Sequence, residues 1–322
     1  MKVRKTLTAG LLSLGLMIAL AACNPEDGSS SSGDSEGTTD ENNDVIDVSS
    51  VEIDNEAIAL LPEEIKDRGT LRAAMDLNYP PTSFQRAGSD DPLGFNVDFS
   101  HLLAARLGLE LEINNVTFDT IVTGIGADRY DISATNMAPN AERLSSVDMV
   151  TYWEAGSALV VPKDNPDDID INNSSVCGKK IAVHGGTTQA DVHLPAITEK
   201  CEDAGEAAPE EVILPEVQQS LTQLNAGRVD GVFADTPQLA WAQSQQPEKF
   251  DLLEDQYEKP DGEDDIVALA LPKDTDLTEA VEVAVRNLVD TDLYPEALAR
   301  WNLESGAMDV DDVEAVQYDE EQ

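Results

Sequence analysis

Few residues in this chain carry chemistry in a pattern that narrows its role. Gly185-Gly186-Thr187-Thr188 follows a predicted strand over 180–183 and opens a predicted helix over 189–200. The positive end of a helix dipole would lie there, which suits an anion, and the same residues also read as a strand-to-helix turn with an N-cap. The G-x-x-x-x-G-K-[ST] spacing of a nucleotide-binding P-loop is absent. His101, His184 and His193 show no zinc-ligand spacing and there is no C-x-x-C, so neither a metal nor a cofactor is expected. Asp235 closes a predicted strand ahead of Thr236-Pro237, a placement that suits a helix N-cap.

The elements that would position these residues fall into two similar sets. Strands are predicted over 70–75, 109–116 and 130–134, with helices over 97–107 and 120–127 between them. A second set has strands over 180–183, 211–214 and 231–234 and helices over 189–200, 217–226 and 237–243. One more strand, 266–271, is followed by helices over 277–288 and 295–303. Alternating β and α elements imply two α/β lobes with mostly parallel sheets, and a small-molecule site between them.

Composition excludes several classes. The 322 residues hold 20 Lys+Arg against 64 Asp+Glu, a formal charge of −44. Phosphate backbones need basic surfaces, so no nucleic-acid partner is expected. A hydrophobic content of 41% is enough to build real cores. Dense carboxylates would suit a host living in high salt, where their repulsion is screened.

The N-terminus reads as an export signal. Lys2, Arg4 and Lys5 precede an apolar run from Leu7 to Leu20, which ends in Leu20-Ala21-Ala22-Cys23. This stretch resembles a bacterial lipoprotein site, with residues 1–22 removed and Cys23 acylated. Residues 23–59 are rich in Ser, Gly and acids, with no Lys or Arg between Lys5 and Lys66, and are expected to be a disordered tether. Cys177 and Cys201 are then expected to form a disulfide in an oxidising compartment. The acidic tail from about 309 is expected to be mobile at its end.

Several further segments share one resemblance. Asp76-Leu-Asn-Tyr79-Pro-Pro81 is similar to D-x-x-Y-P-P, and Gly94-Phe-Asn-Val-Asp98-Phe to G-[FY]-D-[VI]-D-[LF], with Asn96 in place of the usual Asp. Phe118-Asp119, Tyr130-Asp131, Glu142-Arg143 and Val147-Asp148 keep register. Two longer stretches follow, residues 178–189 and Gly227-Arg-Val-Asp-Gly-Val-Phe-Ala-Asp235. Together, over about 60–303, they resemble the family 3 solute-binding proteins, polar amino-acid receptors of ABC importers.

The resemblance implies a two-lobed periplasmic-binding-protein-like fold of type II. Lobe 1 would be discontinuous, 60–154 plus 267–322, and lobe 2 would span 157–264. Two hinge crossings would lie near 155–157 and 264–266. It further implies a monomer that passes a small polar amino acid to permease and ATPase subunits while a lipid on Cys23 holds it to the outside of the membrane.

Ligand roles follow by position. Arg143, the Ala138 N–H, Thr187 and Thr188 would hold the carboxylate, and Asp235 and Asn136 the amine. Asp76, Tyr79, Phe118 and His184 would frame the side chain, while Asp98 would serve structure. Ala138 and Asn140 depart from the usual hydroxyl residues and so remove one hydroxyl from the carboxylate site. A dehydratase-like enzyme on the same fold and a sensory receptor are the alternatives.

Overall fold

A computed structural model describes residues 45–259 and 266–316. The export signal, Cys23, most of the tether, the second crossing and the last six residues lie outside them.

In chain order the strands are β1 (Thr70–Met75), β2 (Asn78–Tyr79), β3 (Ser83–Gln85), β4 (Pro92–Leu93), β5 (Glu110–Asn115), β6 (Ile132–Met137) and β7 (Val147–Glu154). There follow β8 (Ser157–Pro162), β9 (Lys180–His184), β10 (Glu210–Leu214), β11 (Gly231–Asp235), β12 (Phe250–Leu252), β13 (Ile266–Pro272) and β14 (Ala315–Val316). One sheet has the order β14-β7-β13-β6-β1-β5, and a second β10-β9-β11-β8-β12. Each sheet is the centre of a lobe. The chain leaves the first between Glu154 and Ser157 and re-enters it at Ile266.

Both sheets are mixed. In the first lobe β1 pairs in parallel with β5 and β6, while β13 runs antiparallel to β6 and β7. In the second, β9 is parallel to β10 and β11, and β8 is antiparallel to β11 and β12. Periodicity alone passes over β7 and β8. Val-Asp-Met-Val-Thr-Tyr-Trp-Glu and Ser-Ala-Leu-Val-Val-Pro are apolar on both faces and show no clean alternation, because helices cover both sides of each sheet.

Packing on the second sheet shows this two-sidedness. Leu159, Val161, Ile181 and Val183 join Ile197 and Cys201 on one face. Ala158, Val160, Ala182 and Val232 join Leu221 and Leu239 on the other. Cys177 and Cys201 are disulfide-bonded, closing the chain from the loop before β9 onto the helix Leu194–Asp203.

The helix Phe95–Arg106 starts two residues before its predicted position. Gly94 sits at φ +123°, where a Cβ would run into the Thr82 carbonyl. This helix buries three polar side chains, and each is satisfied. Asn96 accepts from Tyr152, Ser100 donates to the Asn96 carbonyl, and Asp98 accepts from Arg300, Trp301 and the Ile46 N–H. Two other acids of the sequence motifs are structural as well. Asp131 ties Arg68 and Arg72, and Asp148 accepts from Thr278 and the Asp274 N–H.

Residues 45–59, expected to be part of a disordered tether, are folded onto the first lobe. Within 45–59, Ile46 and Ala57 are buried in the first-lobe core, and the helix Asn55–Leu60 is capped by Asp54. Asp54 also accepts from Asn287. A few apolar residues and one well-bonded acid suffice to fix this segment, although its average composition is that of a disordered chain. The acidic C-terminal segment is likewise docked up to Val316. Val313 is fully buried and β14 adds an edge strand to β7.

The small sheet β2-β3-β4 brings Phe84 between two tryptophans. Its ring centroid is 5.6 Å from that of Trp301 in the first lobe and 5.8 Å from that of Trp241 in the second. Trp153 is buried in the first-lobe core.

Candidate functional site

The residues singled out by position converge where the two lobes meet. From the first lobe, β6 runs into a loop that leads to the short helix Ala141–Leu144. Asn140 caps it by accepting from the Arg143 N–H at 2.8 Å, so the departure at 140 keeps the cap. The Arg143 side chain is buried, and its guanidinium donates to the carbonyls of Ala138 in its own lobe and Gly186 in the other, the latter at 2.7 Å. Its Cζ lies 5.5 Å from the centre of the Phe118 ring. Burial lowers its pKa against the pull of Asp191 and Asp235. A buried guanidinium bonded to neutral carbonyls keeps its charge uncompensated at close range, and presents a planar fork to a carboxylate.

Asp235 lies at the end of β11, also buried. It occupies the N-cap position of the helix Thr236–Gln245, but its carboxylate makes no cap bond. Oδ2 accepts from the Tyr79 hydroxyl at 3.0 Å and Asn136 Nδ2 at 3.2 Å, and Oδ1 from Gln189 Nε2 at 2.7 Å. Burial pushes its pKa up to about 6, against those hydrogen bonds and the Arg143 charge.

Asn136 adopts φ +50°, a left-handed conformation that Asn tolerates. Its Oδ1 accepts from Asn96 Nδ2 at 2.9 Å, while Asn96 Oδ1 accepts from Tyr152 at 2.7 Å. This explains Asn96 at a usual Asp position, since an amide donates and accepts where a carboxylate only accepts.

Tyr79, Phe118 and His184 form one wall. His184 lies 5.5 Å from Phe118 and 6.3 Å from Tyr79 between ring centres. Burial lowers the His184 pKa, against Asp76, Asp119 and Glu216. Its Nδ1 is buried with no hydrogen-bond partner. Asp76 accepts from the Asn78 N–H and side-chain amide through Oδ1 and from the Phe118 N–H through Oδ2. It therefore fixes the hairpin and the ring beside it, and one carboxylate lone-pair site is left for a ligand.

In the second lobe Gly186 takes φ +78°, as the tight turn after β9 requires. The Thr187 hydroxyl is spent within that turn, donating to the His184 carbonyl at 2.7 Å. Thr188 lines a small cavity with Asn136, Ala138, Gln189 and Asp235. The expected helix opens as a π-turn, Gln189–His193, and becomes α-helical over Leu194–Asp203. Gln189 is the residue that sequence reasoning missed. Its place in the predicted first turn, directly after the two threonines, was the available signal.

Two mixed sheets, a cleft with a cationic fork on one lobe and an acid on the other, and an aromatic wall between them define a two-lobed receptor for small zwitterions. The model of bacterial extracellular solute-binding proteins, family 3, matches residues 71–304, and the chain belongs to that family. It is 28% identical to the arginine-binding protein ArgT of Corynebacterium glutamicum over 78% of this chain and 80% of that one. It is 33% identical to the L-cystine-binding protein TcyJ of Escherichia coli over 39% of this chain and 47% of that one.

Among solved structures, holo ArgBP from T. maritima superposes with a TM-score of 0.60 at 25% identity, covering 75% of this chain and 100% of that one. An ancestral amino-acid-binding protein, a precursor of cyclohexadienyl dehydratase, shares the fold with a TM-score of 0.62 at 24% identity, over 76% of this chain and 99% of that one.

Proposed function

We propose that this protein is the substrate-binding component of an ABC importer and captures an amino acid whose polar side chain carries N–H donors. The observation that carries this reading is Arg143, a buried guanidinium whose hydrogen bonds go to carbonyls, facing Asp235 across the cleft. Arg143 takes the ligand carboxylate, with help from Thr188 and the Ala138 N–H. Asp235 and Asn136 take the ammonium. The lobes close because only the closed state offers both partners at once.

The side-chain wall favours donors. Asp76 repels an acidic side chain and draws donors, and the buried His184 Nδ1, without a partner among the described residues, is open to a polar group. Arginine, citrulline and glutamine fit, and the arginine-binding relatives support the first. The protein acts as a monomeric receptor with no catalytic step, held outside the membrane by a lipid on Cys23.

Mass spectrometry of ligand released from denatured, freshly purified protein tests the class directly. A thermal-shift panel then ranks the amino acids, with arginine, citrulline and glutamine expected above glutamate. His184→Leu is expected to reorder that ranking. An unchanged order in the variant removes His184 from the ligand wall, and conversion of a bound cyclic acid would favour the dehydratase alternative.

Binding is also expected to depend on pH. Asp235 must be ionised to hold an ammonium, and burial where the two lobes meet pushes its pKa up to about 6. As pH falls below that value, protonation competes with the ligand, and affinity drops by up to about tenfold per pH unit. Above it, affinity levels off. Calorimetry between pH 4.5 and 7.5 checks this, and a flat profile rules out Asp235 as the ammonium's partner.

A further inference from the structure

We infer that Gln189 is a positioning residue for ligand capture, holding the Asp235 carboxylate in place on its own lobe whether the lobes are open or closed. The inference rests on Asp235 as the acid that receives the ligand's ammonium.

The two oxygens of Asp235 are supported from different sides. The donors to Oδ2, Tyr79 and Asn136, belong to the first lobe, so both depart when the lobes separate. The donor to Oδ1 is Gln189, which sits on the second lobe with Asp235. The same Nε2 donates its other hydrogen to Ser157 Oγ, again at 2.7 Å. Ser157 is the first residue of β8 after the passage from the first lobe, and it lies directly opposite Asp235 in the β8–β11 pair. Gln189 therefore braces the acid against its neighbouring strand with both N–H groups used.

The Gln189 side chain is buried, so its rotamer is fixed by packing as well as by these bonds. The π-turn that carries it is an uncommon backbone form that recurs at functional sites. An acid held ready in the open cleft loses less freedom when a ligand arrives. Around the carboxylate, the charged and titratable groups are Tyr79, Arg143 and Tyr152 from the first lobe. His193 and Lys259 line the same cavity.

The test is a titration of the Asp235 side-chain carboxyl carbon by NMR in the ligand-free full chain, with its signal identified by its loss in Asp235→Asn. Gln189→Met keeps the bulk of the side chain and removes the donor. Its titration midpoint is expected to rise by about one pH unit from the wild-type value, because a hydrogen bond to the ionised form is gone. Ser157→Ala is expected to raise it less, since the amide keeps its bond to Asp235. If Gln189→Met does not fold, Gln189→Asn, one methylene too short to reach, serves the same comparison.

A midpoint within about 0.3 unit of wild type in the folded variant overturns the inference. L-Arginine, L-citrulline and L-glutamine binding is measured on the same wild-type sample by calorimetry. Absence of binding beside a shifted midpoint would count against the amino-acid reading and leave the role of Gln189 standing.

Discussion

Arg143→Ala is expected to weaken amino-acid binding by about 2–5 kcal/mol, close to abolishing it, while the fold survives. The size of the effect comes from burial. A ligand carboxylate drawn into the cleft leaves water behind, and Arg143 is the buried cation placed to pair with it. Without the guanidinium the carboxylate is both desolvated and unpaired. The fold survives because Arg143 belongs to a four-residue helix capped through its backbone by Asn140, a bond that alanine retains. The Ala138 and Gly186 carbonyls lose a donor, but they lie at the cleft, where water replaces it. Calorimetry with the best ligand of the thermal-shift panel, together with circular dichroism of the variant, is the measurement. Binding within threefold of wild type would remove Arg143 from the carboxylate site.

The second large effect is on stability. Replacing Cys177 and Cys201 together by alanine is expected to destabilise the protein by about 3 kcal/mol in the chain-entropy model, since a sequence separation of 24 closes a medium-sized loop. Cys201 also packs in the core with Val176 and Ile197, so its loss is felt in packing as well. The preference among ligands should not move, because no ligand-facing residue is bonded to either sulfur. Thermal unfolding of the double variant under non-reducing conditions checks the first part, and the amino-acid panel the second. An unchanged melting temperature would contradict the stabilising role.

Most of the candidate site residues are named by the family resemblance, and the structure brings them together; a few lie at strand ends that the sequence pattern marks by itself. Strands of 5–6 residues such as β1, β9 and β11 have turn signals beside them. Asp235 and the Gly185-Gly186 turn follow from where those strands stop. Arg143 was found through a spaced motif, and no periodicity would have singled it out.

What escaped was of three kinds. β7 and β8 are covered on both faces and so carry no alternation to read. Gln189 was hidden because its role depends on a π-turn and on Ser157, 32 residues away on another strand. The folded part of the tether escaped for a third reason. Asp54 and Ile46 are anchored by Asn287 and Asp98, contacts that local composition does not encode.

Trp241, Phe84 and Trp301 separate how tightly the protein binds from what it binds. Their ring contacts join the lobes without involving Arg143 or Asp235, and Phe84 loses Trp241 when the lobes part. An aromatic contact of this kind is worth about 0.5–1.5 kcal/mol. That energy goes to the closed state whatever lies in the cleft, so it raises the competent population by roughly two- to tenfold. Apparent affinity for every ligand shifts by the same factor, and the order among them stays fixed. Evolution can therefore retune this receptor to scarce or abundant nutrient by changing one ring at position 84 or 241, without disturbing the chemistry of recognition.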